Sequence, residues 1–140
     1  MLRDRRGTAA LEFVLVAAPI FLAMFLIFDL GRYAATITSL RTLASTAART
    51  LAINCYQTAK FAGSSPASCI GGHPYPFTSN SDKQSVAPFL FAGGVTPQTA
   101  VTLGASSTLT VTASLPGFTM IMPIWGTSLN APTASVSLPY

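Results

Sequence analysis

Charged residues are scarce in this sequence. Only 9% of its 140 residues are charged and half are apolar, whereas roughly 25% of a typical soluble domain is charged. This shortage of charge argues against a free cytosolic protein. Three of the eight basic residues lie in the first six positions, and the others stand singly without interleaved aromatic residues. The net charge of +4 therefore does not indicate a nucleic-acid-binding surface.

Groups that carry catalysis or bind metals are also few. The sequence has one histidine (His73), two cysteines and four carboxylates, and it contains no nucleophile-elbow or phosphate-loop motif. The spacing of its cysteines and histidine matches no zinc pattern. We therefore expect no enzymatic activity, no cofactor, no metal site and no small-molecule substrate.

What the sequence does have is one long apolar run directly after a basic leader. The run extends from Phe13 to Phe28 without a charge, and Glu12 stands at its start. A helix over residues 9–28 would be about 30 Å long, close to the hydrocarbon thickness of a bilayer, which predicts a transmembrane segment. The arginines of the leader, residues 1–7, place the N-terminus in the cytoplasm by the positive-inside rule. The chain after Asp29 is then expected on the outer side.

Three kinds of N-terminal segment share this pattern. A secretory signal fits poorly, because Glu12 interrupts its apolar region and no small-x-small cleavage site follows Phe28. An ordinary signal anchor remains open. A prepilin-type segment cut after Gly7 fits best, because that class keeps its apolar helix after cleavage.

Cleavage would leave a cationic α-amino group on Thr8, about one helical turn from Glu12. A pair between Glu12 and such an amine of a neighbouring subunit would set the register of an assembly.

The rest of the chain divides into three stretches. Residues 8–54 are predicted to form one long helix with Pro19 as its only strong internal breaker, residues 55–99 are loop-rich, and residues 100–140 are β-rich. The outer half of the helix has an apolar stripe formed by Leu30, Tyr33, Ile37, Leu40, Ala44, Ala47 and Leu51. Its opposite side carries Arg32, Thr36, Ser39, Arg41, Ser45 and Arg49.

Three segments alternate apolar and hydroxyl residues in the period of a strand. They are residues 100–103, 108–115 and 133–138, and residues 104–107 suit a hairpin connection between the first two. The sequence therefore predicts an α+β fold in which a long helix packs on an antiparallel sheet of about three strands.

Two smaller features accompany this framework. Cys55 and Cys69 are the only cysteines, and a disulfide between them outside the cytoplasm would close a loop of about fifteen residues, worth roughly 3 kcal/mol in the chain-entropy model. Two reduced thiols are the alternative. Asp29 and Arg32 lie three residues apart on the helix, which predicts a local, solvated ion pair rather than a site.

With these residues in view, the N-terminal third resembles the TadE-like family, the minor pilins or pseudopilins of tight-adherence (Flp/Tad) pilus systems. The resemblance lies in the segment from Arg6 to Phe13, in the apolar run containing Pro19, and in the sequence Phe28-Asp29-Leu30-Gly31-Arg32 that ends it. The two cysteines and the glycine- and proline-rich middle depart from the pattern. The resemblance implies a type IV pilin-like helix, cleavage between Gly7 and Thr8 by a prepilin peptidase, and a role for Glu12 and Phe13 in assembly.

The function implied is that of a minor pilin or pseudopilin in the bacterial inner membrane, with its C-terminal domain in the periplasm before assembly. Its partners would be the prepilin peptidase, other pilins of the system and the Tad secretion platform, and it would prime or cap a pilus used for surface adherence. The alternative is a single-pass anchored binding module that is neither processed nor assembled. In that alternative Phe118, Ile121, Ile124 and Trp125 would form an exposed contact segment, although packing in a core or between subunits is the favoured use of these residues.

Overall fold

A computed structural model of the protein describes residues 6–64, 77, 79–104 and 108–139. Helix α1 spans Arg6–Leu51 and continues through a π-helical segment, Ala52–Gln57, into the short helix α2, Thr58–Phe61. Helix α3 spans Asn80–Val86 and is followed by a 3₁₀ turn, Pro88–Phe91. The strands are β1 (Gln98–Gly104), β2 (Thr108–Ser114) and β3 (Thr133–Pro139), with a second 3₁₀ turn at Pro123–Trp125. The predicted α+β fold is confirmed.

Helix α1 has two halves with different surroundings. From Ala10 to Phe28 nearly every side chain is exposed, and the most apolar part of the helix has a mean hydropathy of 2.6 with none of it buried inside the protein. This helix is long and apolar enough to cross a membrane. From Asp29 onward its side chains are increasingly buried. The N-terminal half of the helix, residues 10–28 and here called the rod, is therefore apolar and packs against almost no other part of the described structure. The C-terminal half packs against the rest of the fold. Pro19 lies inside the exposed half without ending the helix.

The three strands form one antiparallel sheet in the order β1-β2-β3. Val111 on the central strand pairs with Val101 on one side and Val136 on the other. Because side chains alternate along a strand, this register gathers apolar residues on the face that meets α1 and hydroxyl residues on the other face. The residues between β1 and β2, predicted as a hairpin turn, lie largely outside the described part of the chain.

Two clusters of buried side chains join α1 to the sheet. The distal cluster contains Ala47, Ala48, Leu51, Leu109 and Val111. The proximal cluster contains Leu40, Leu43, Ala44, Ala87, Leu90, Ala113, Leu115, Phe118 and Ala134. Several of these contacts are made by alanine, and small side chains allow the helix backbone to lie close to the sheet.

The direction of β2 relative to α1 determines what lies beside the apolar half of the helix. Leu109 packs near Leu51, whereas Leu115 packs near Leu40. Strand β2 thus runs back along α1 toward the N-terminal rod. The segment that follows it, residues 115–132 and here called the β2–β3 loop, is consequently placed at the end of the domain nearest to that rod.

The structure extends and corrects the sequence-based organisation in three places. The helical path runs beyond the predicted end at residue 54 and reaches Phe61. The stretch predicted as loop-rich, residues 55–99, includes α3, whose Lys83 is buried and donates a hydrogen bond from Nζ to the Pro97 carbonyl at 3.0 Å. Thr36, predicted on the polar side of α1, is buried, and its hydroxyl donates to the Arg32 carbonyl at 2.8 Å. A hydroxyl satisfied within its own helix can face a core.

Candidate functional site

The predicted cleavage and assembly residues lie at the start of the exposed rod. Gly7 and Thr8 are in the first turns of α1, and the leader residues 1–5 are outside the described part of the chain. Glu12 is exposed, and Phe13 next to it is 71% exposed. The roles of these four residues in cleavage and registration stay predictions.

The rod presents a continuous apolar surface with a single carboxylate, Glu12, near its N-terminal end. Large exposed side chains cover it on all sides, including Leu11, Val14, Leu15, Ile20, Phe21, Phe25 and Phe28. Such a surface can be covered by lipid or by apolar helices of other subunits. A carboxylate at the edge of that low-dielectric layer is costly unless it meets a cationic partner. The arrangement can therefore direct how helices associate.

A second cluster lies where the rod enters the domain. Asp29 is only 3% exposed. Its carboxylate accepts a hydrogen bond from the backbone N–H of Ile121, at 3.1 Å to Oδ2, and another from the N–H of Met122, at 3.0 Å to Oδ2. The first charged residue after the apolar run thus holds the backbone of the β2–β3 loop against the helix.

Arg32 adds to the same contact from the next turn of α1. Its guanidinium lies over the Phe118 ring, with Cζ 4.7 Å from the ring centroid, and it donates a hydrogen bond to the Thr119 carbonyl. The ring of Tyr33 meets that of Phe118 in a tilted arrangement, with centroids 6.3 Å apart. Arg32 Nη2 is also 3.7 Å from Asp29 Oδ1. Charge, stacking and hydrogen bonding therefore all connect this part of α1 to the loop.

The prediction of a solvated local pair is wrong for Asp29. Asp29 and Arg32 do pair, but the main partners of Asp29 are backbone amides 92 and 93 positions away in sequence. No local pattern reveals a partner at that distance. The available signal was the position of Asp29, because a carboxylate directly after an apolar span needs a donor close by.

Phe118 belongs to the core, as expected if this segment packs rather than forming an exposed contact. It is buried under Arg32 and Tyr33, whereas Ile121 and Ile124 are exposed and Trp125 is half-buried. Of these four residues, Phe118 therefore packs the loop against α1, and the other three are at least partly exposed.

The cysteine prediction is only partly within the described structure. Cys55 lies in the π-helical segment, half-buried beside the distal cluster, and it is not a free thiol. Cys69 and His73 lie outside the described residues. The Cys55–Cys69 disulfide accordingly stays a prediction.

A cleft of about 260 Å³ borders Arg32 on the side of the Pro88–Phe91 turn. Its lining includes Thr36, Leu90, Val95 and Phe118, and Arg32 is the only charged residue in it. Within the described ranges, no group of three or more histidine, cysteine or carboxylate residues is placed to hold a metal ion. The cleft thus offers one cation, whose guanidinium is already paired with Asp29 outside the lining.

Comparison with protein families identifies the helix and not the sheet. Residues 7–49 match the family described as TadE-like protein. The match starts at the predicted cleavage site, includes the whole exposed rod with Asp29 and Arg32, and stops two residues before the end of α1. Comparisons with curated proteins and with solved structures gave no significant match. The predicted resemblance is confirmed over this range: residues 7–49 form a TadE-like segment.

Proposed function

We propose that the protein is a minor pilin or pseudopilin of a Tad (Flp) pilus, with a structural rather than an enzymatic role. The TadE-like segment associates the chain with Tad pilus systems, and its single N-terminal apolar helix fits a membrane anchor. The observation that carries the finer proposal is the contrast within α1. An unpacked apolar rod with one carboxylate leads directly into a helix half that has one face buried by its own domain.

The mechanism has three steps. The chain inserts in the inner membrane with Arg3, Arg5 and Arg6 on the cytoplasmic side, as the positive-inside rule requires. Prepilin peptidase then cuts between Gly7 and Thr8, which removes the leader and creates the Thr8 amine. Finally the Tad platform moves the rod from lipid into contact with the helices of other pilins. The domain emerges on the periplasmic side and primes or caps the filament.

Glu12 gives the assembly its register in this mechanism. Moving from lipid to neighbouring helices changes the apolar surroundings of the rod little, so apolar contact alone selects no position along the axis. An ion pair between Glu12 and a Thr8 amine does select one, because a shift along the helix leaves both charges unpaired in a low-dielectric layer.

The test is Glu12→Ala in cells that assemble the pilus. We expect normal membrane insertion and normal removal of the leader, because Glu12 is exposed and supports no part of the fold. Filaments per cell should fall at least about tenfold, since a loss of only about 1.4 kcal/mol per assembly step lowers the equilibrium constant tenfold.

Two further variants make the result specific. Glu12→Asp keeps the charge and should retain part of the piliation. Asp82→Ala removes an exposed carboxylate from α3, outside the rod, and should leave piliation unchanged. Normal piliation with Glu12→Ala would show that Glu12 does not register the assembly.

A further inference from the structure

The β2–β3 loop presents apolar side chains at the level where the rod ends. Ile121 is 74% exposed and Ile124 is 62% exposed, and both lie within four residues of Trp125. The Ile121 and Met122 amides are bonded to Asp29. Asp29 directly follows Phe28, the last exposed apolar residue of the rod. These loop side chains therefore lie beside the boundary of the membrane-spanning segment.

The composition of the loop suits the edge of a bilayer. Between Leu115 and Thr133 the sequence contains no charged residue. It places isoleucine, methionine and tryptophan together in residues 120–125. Tryptophan is enriched at the membrane–water interface, and because the indole N–H of Trp125 is buried, its side chain offers no polar atom to the surface.

The contact between α1 and the loop is made at the end of the rod. Leu26, one turn before Asp29 on the same helical face, is half-buried, whereas its neighbours Phe25 and Ile27 are exposed. The only charges at this level, those of Asp29 and Arg32, are engaged with each other and with the loop.

We propose that residues 120–125 of the β2–β3 loop form a second membrane contact, in which Ile121, Ile124 and Trp125 enter the interfacial layer of the bilayer that the rod spans. The inference rests on the membrane anchoring proposed above. Lipid is favoured over a protein partner because the exposed side chains continue the apolar surface of the rod at the same depth. The contact limits the tilt of the subunit while it waits in the membrane.

Trp125 is the only tryptophan in the chain, so its emission reports this contact directly. The full chain is reconstituted in vesicles of phosphatidylcholine and phosphatidylglycerol whose acyl chains carry bromine either close to the headgroups or close to the terminal methyl groups. We expect the shallow bromines to reduce the emission about twofold or more and the deep bromines to reduce it much less, because an interfacial tryptophan lies at headgroup level. Iodide in the water should quench weakly.

Exposed variants identify the side chains responsible. The double substitution Ile121→Ser with Ile124→Ser should largely abolish quenching by the shallow bromines, and the exposure of both residues makes it compatible with folding. Phe61→Ser is the matched control: Phe61 is 92% exposed and lies about 48 Å farther along the helical path than Asp29, at about 1.5 Å per residue. It should leave the quenching unchanged.

The outcomes separate this inference from the proposed function. A chain that floats with the vesicles but shows no quenching by shallow bromines would overturn the loop contact and leave the anchor intact. A tryptophan emission that changes only with the number of protein copies per vesicle would show that the loop contacts a second subunit instead of lipid. That result would also overturn the proposal. A chain that does not float would overturn the anchor and the loop contact together.

Discussion

Removal of the Asp29 carboxylate should release the β2–β3 loop from α1. The carboxylate accepts two backbone hydrogen bonds, and a bond to a charged group contributes about 1.5–3 kcal/mol. The ion pair with Arg32 adds little, because that side chain is 40% exposed and its charge is screened by water. We therefore expect Asp29→Ala to lower the free energy of opening the loop by about 3 kcal/mol. Asp29→Asn keeps one acceptor oxygen and should cost about half as much.

Amide hydrogen exchange measures this change where it occurs. About 3 kcal/mol corresponds to roughly a hundredfold faster exchange of the Ile121 and Met122 amides, read by mass spectrometry on peptides that cover residues 118–125. The amides of β2 should keep their protection. Asp82→Ala removes an exposed carboxylate and serves as the control. Unchanged protection of both amides in Asp29→Ala would refute the assigned contact.

The packing of the domain yields two further predictions, each checked by thermal unfolding of the full chain in detergent. Ala48→Leu should destabilise the domain by about 1–3 kcal/mol, because Ala48 is fully buried against the sheet. Ala34→Leu, at an exposed helix position, should change stability by less than about 0.5 kcal/mol. Equal effects of the two substitutions would contradict the helix–sheet interface. Gly31→Ala should stabilise the helix by about 0.5–1 kcal/mol, because nothing lies near the added methyl group. Gly117→Ala should destabilise the domain, because its methyl group would approach Val95 Cγ1 to 2.8 Å, and a stabilising effect there would show that the loop packs differently.

Most of the architecture could be predicted from periodicity. A strand that packs on a helix with one face alternates apolar and polar residues, and all three strands do so within two residues of their predicted bounds. The long helix could also be predicted, because an unbroken apolar run followed by apolar residues spaced three and four apart is typical of a helix and of few other structures. These features depend on neighbours in sequence, which is why the sequence alone was sufficient.

The contact at Asp29 could not be predicted in the same way. It depends on β2 running back along α1, so that a loop far away in sequence reaches the end of the rod. The pattern of spacings around Asp29 and Arg32 indicated only a local pair, and the burial of Phe118 under Arg32 follows from the same unforeseen arrangement. Helix α3 could not be predicted, because a polar helix of seven residues has no apolar stripe that would indicate a helix.

Glu12 shows the opposite case. The sequence placed it at the start of the apolar run, and the structure leaves it exposed on a helix with no contact to the domain. A carboxylate that does nothing for the fold of its own chain is available for contacts between chains. Such a contact requires a second subunit, and the apolar surface around Glu12 would make an ion pair there strong.

The N-terminus of the protein purified from its native membrane shows whether the rod is a processed pilin helix. N-terminal sequencing with the intact mass should give a chain that starts at Thr8 and lacks residues 1–7. A further loss of two hydrogens would report the Cys55–Cys69 bond on the same molecule. A chain that keeps its leader would contradict the account and favour an anchored binding module. One that begins after Phe28 would show that the rod is a discarded signal sequence.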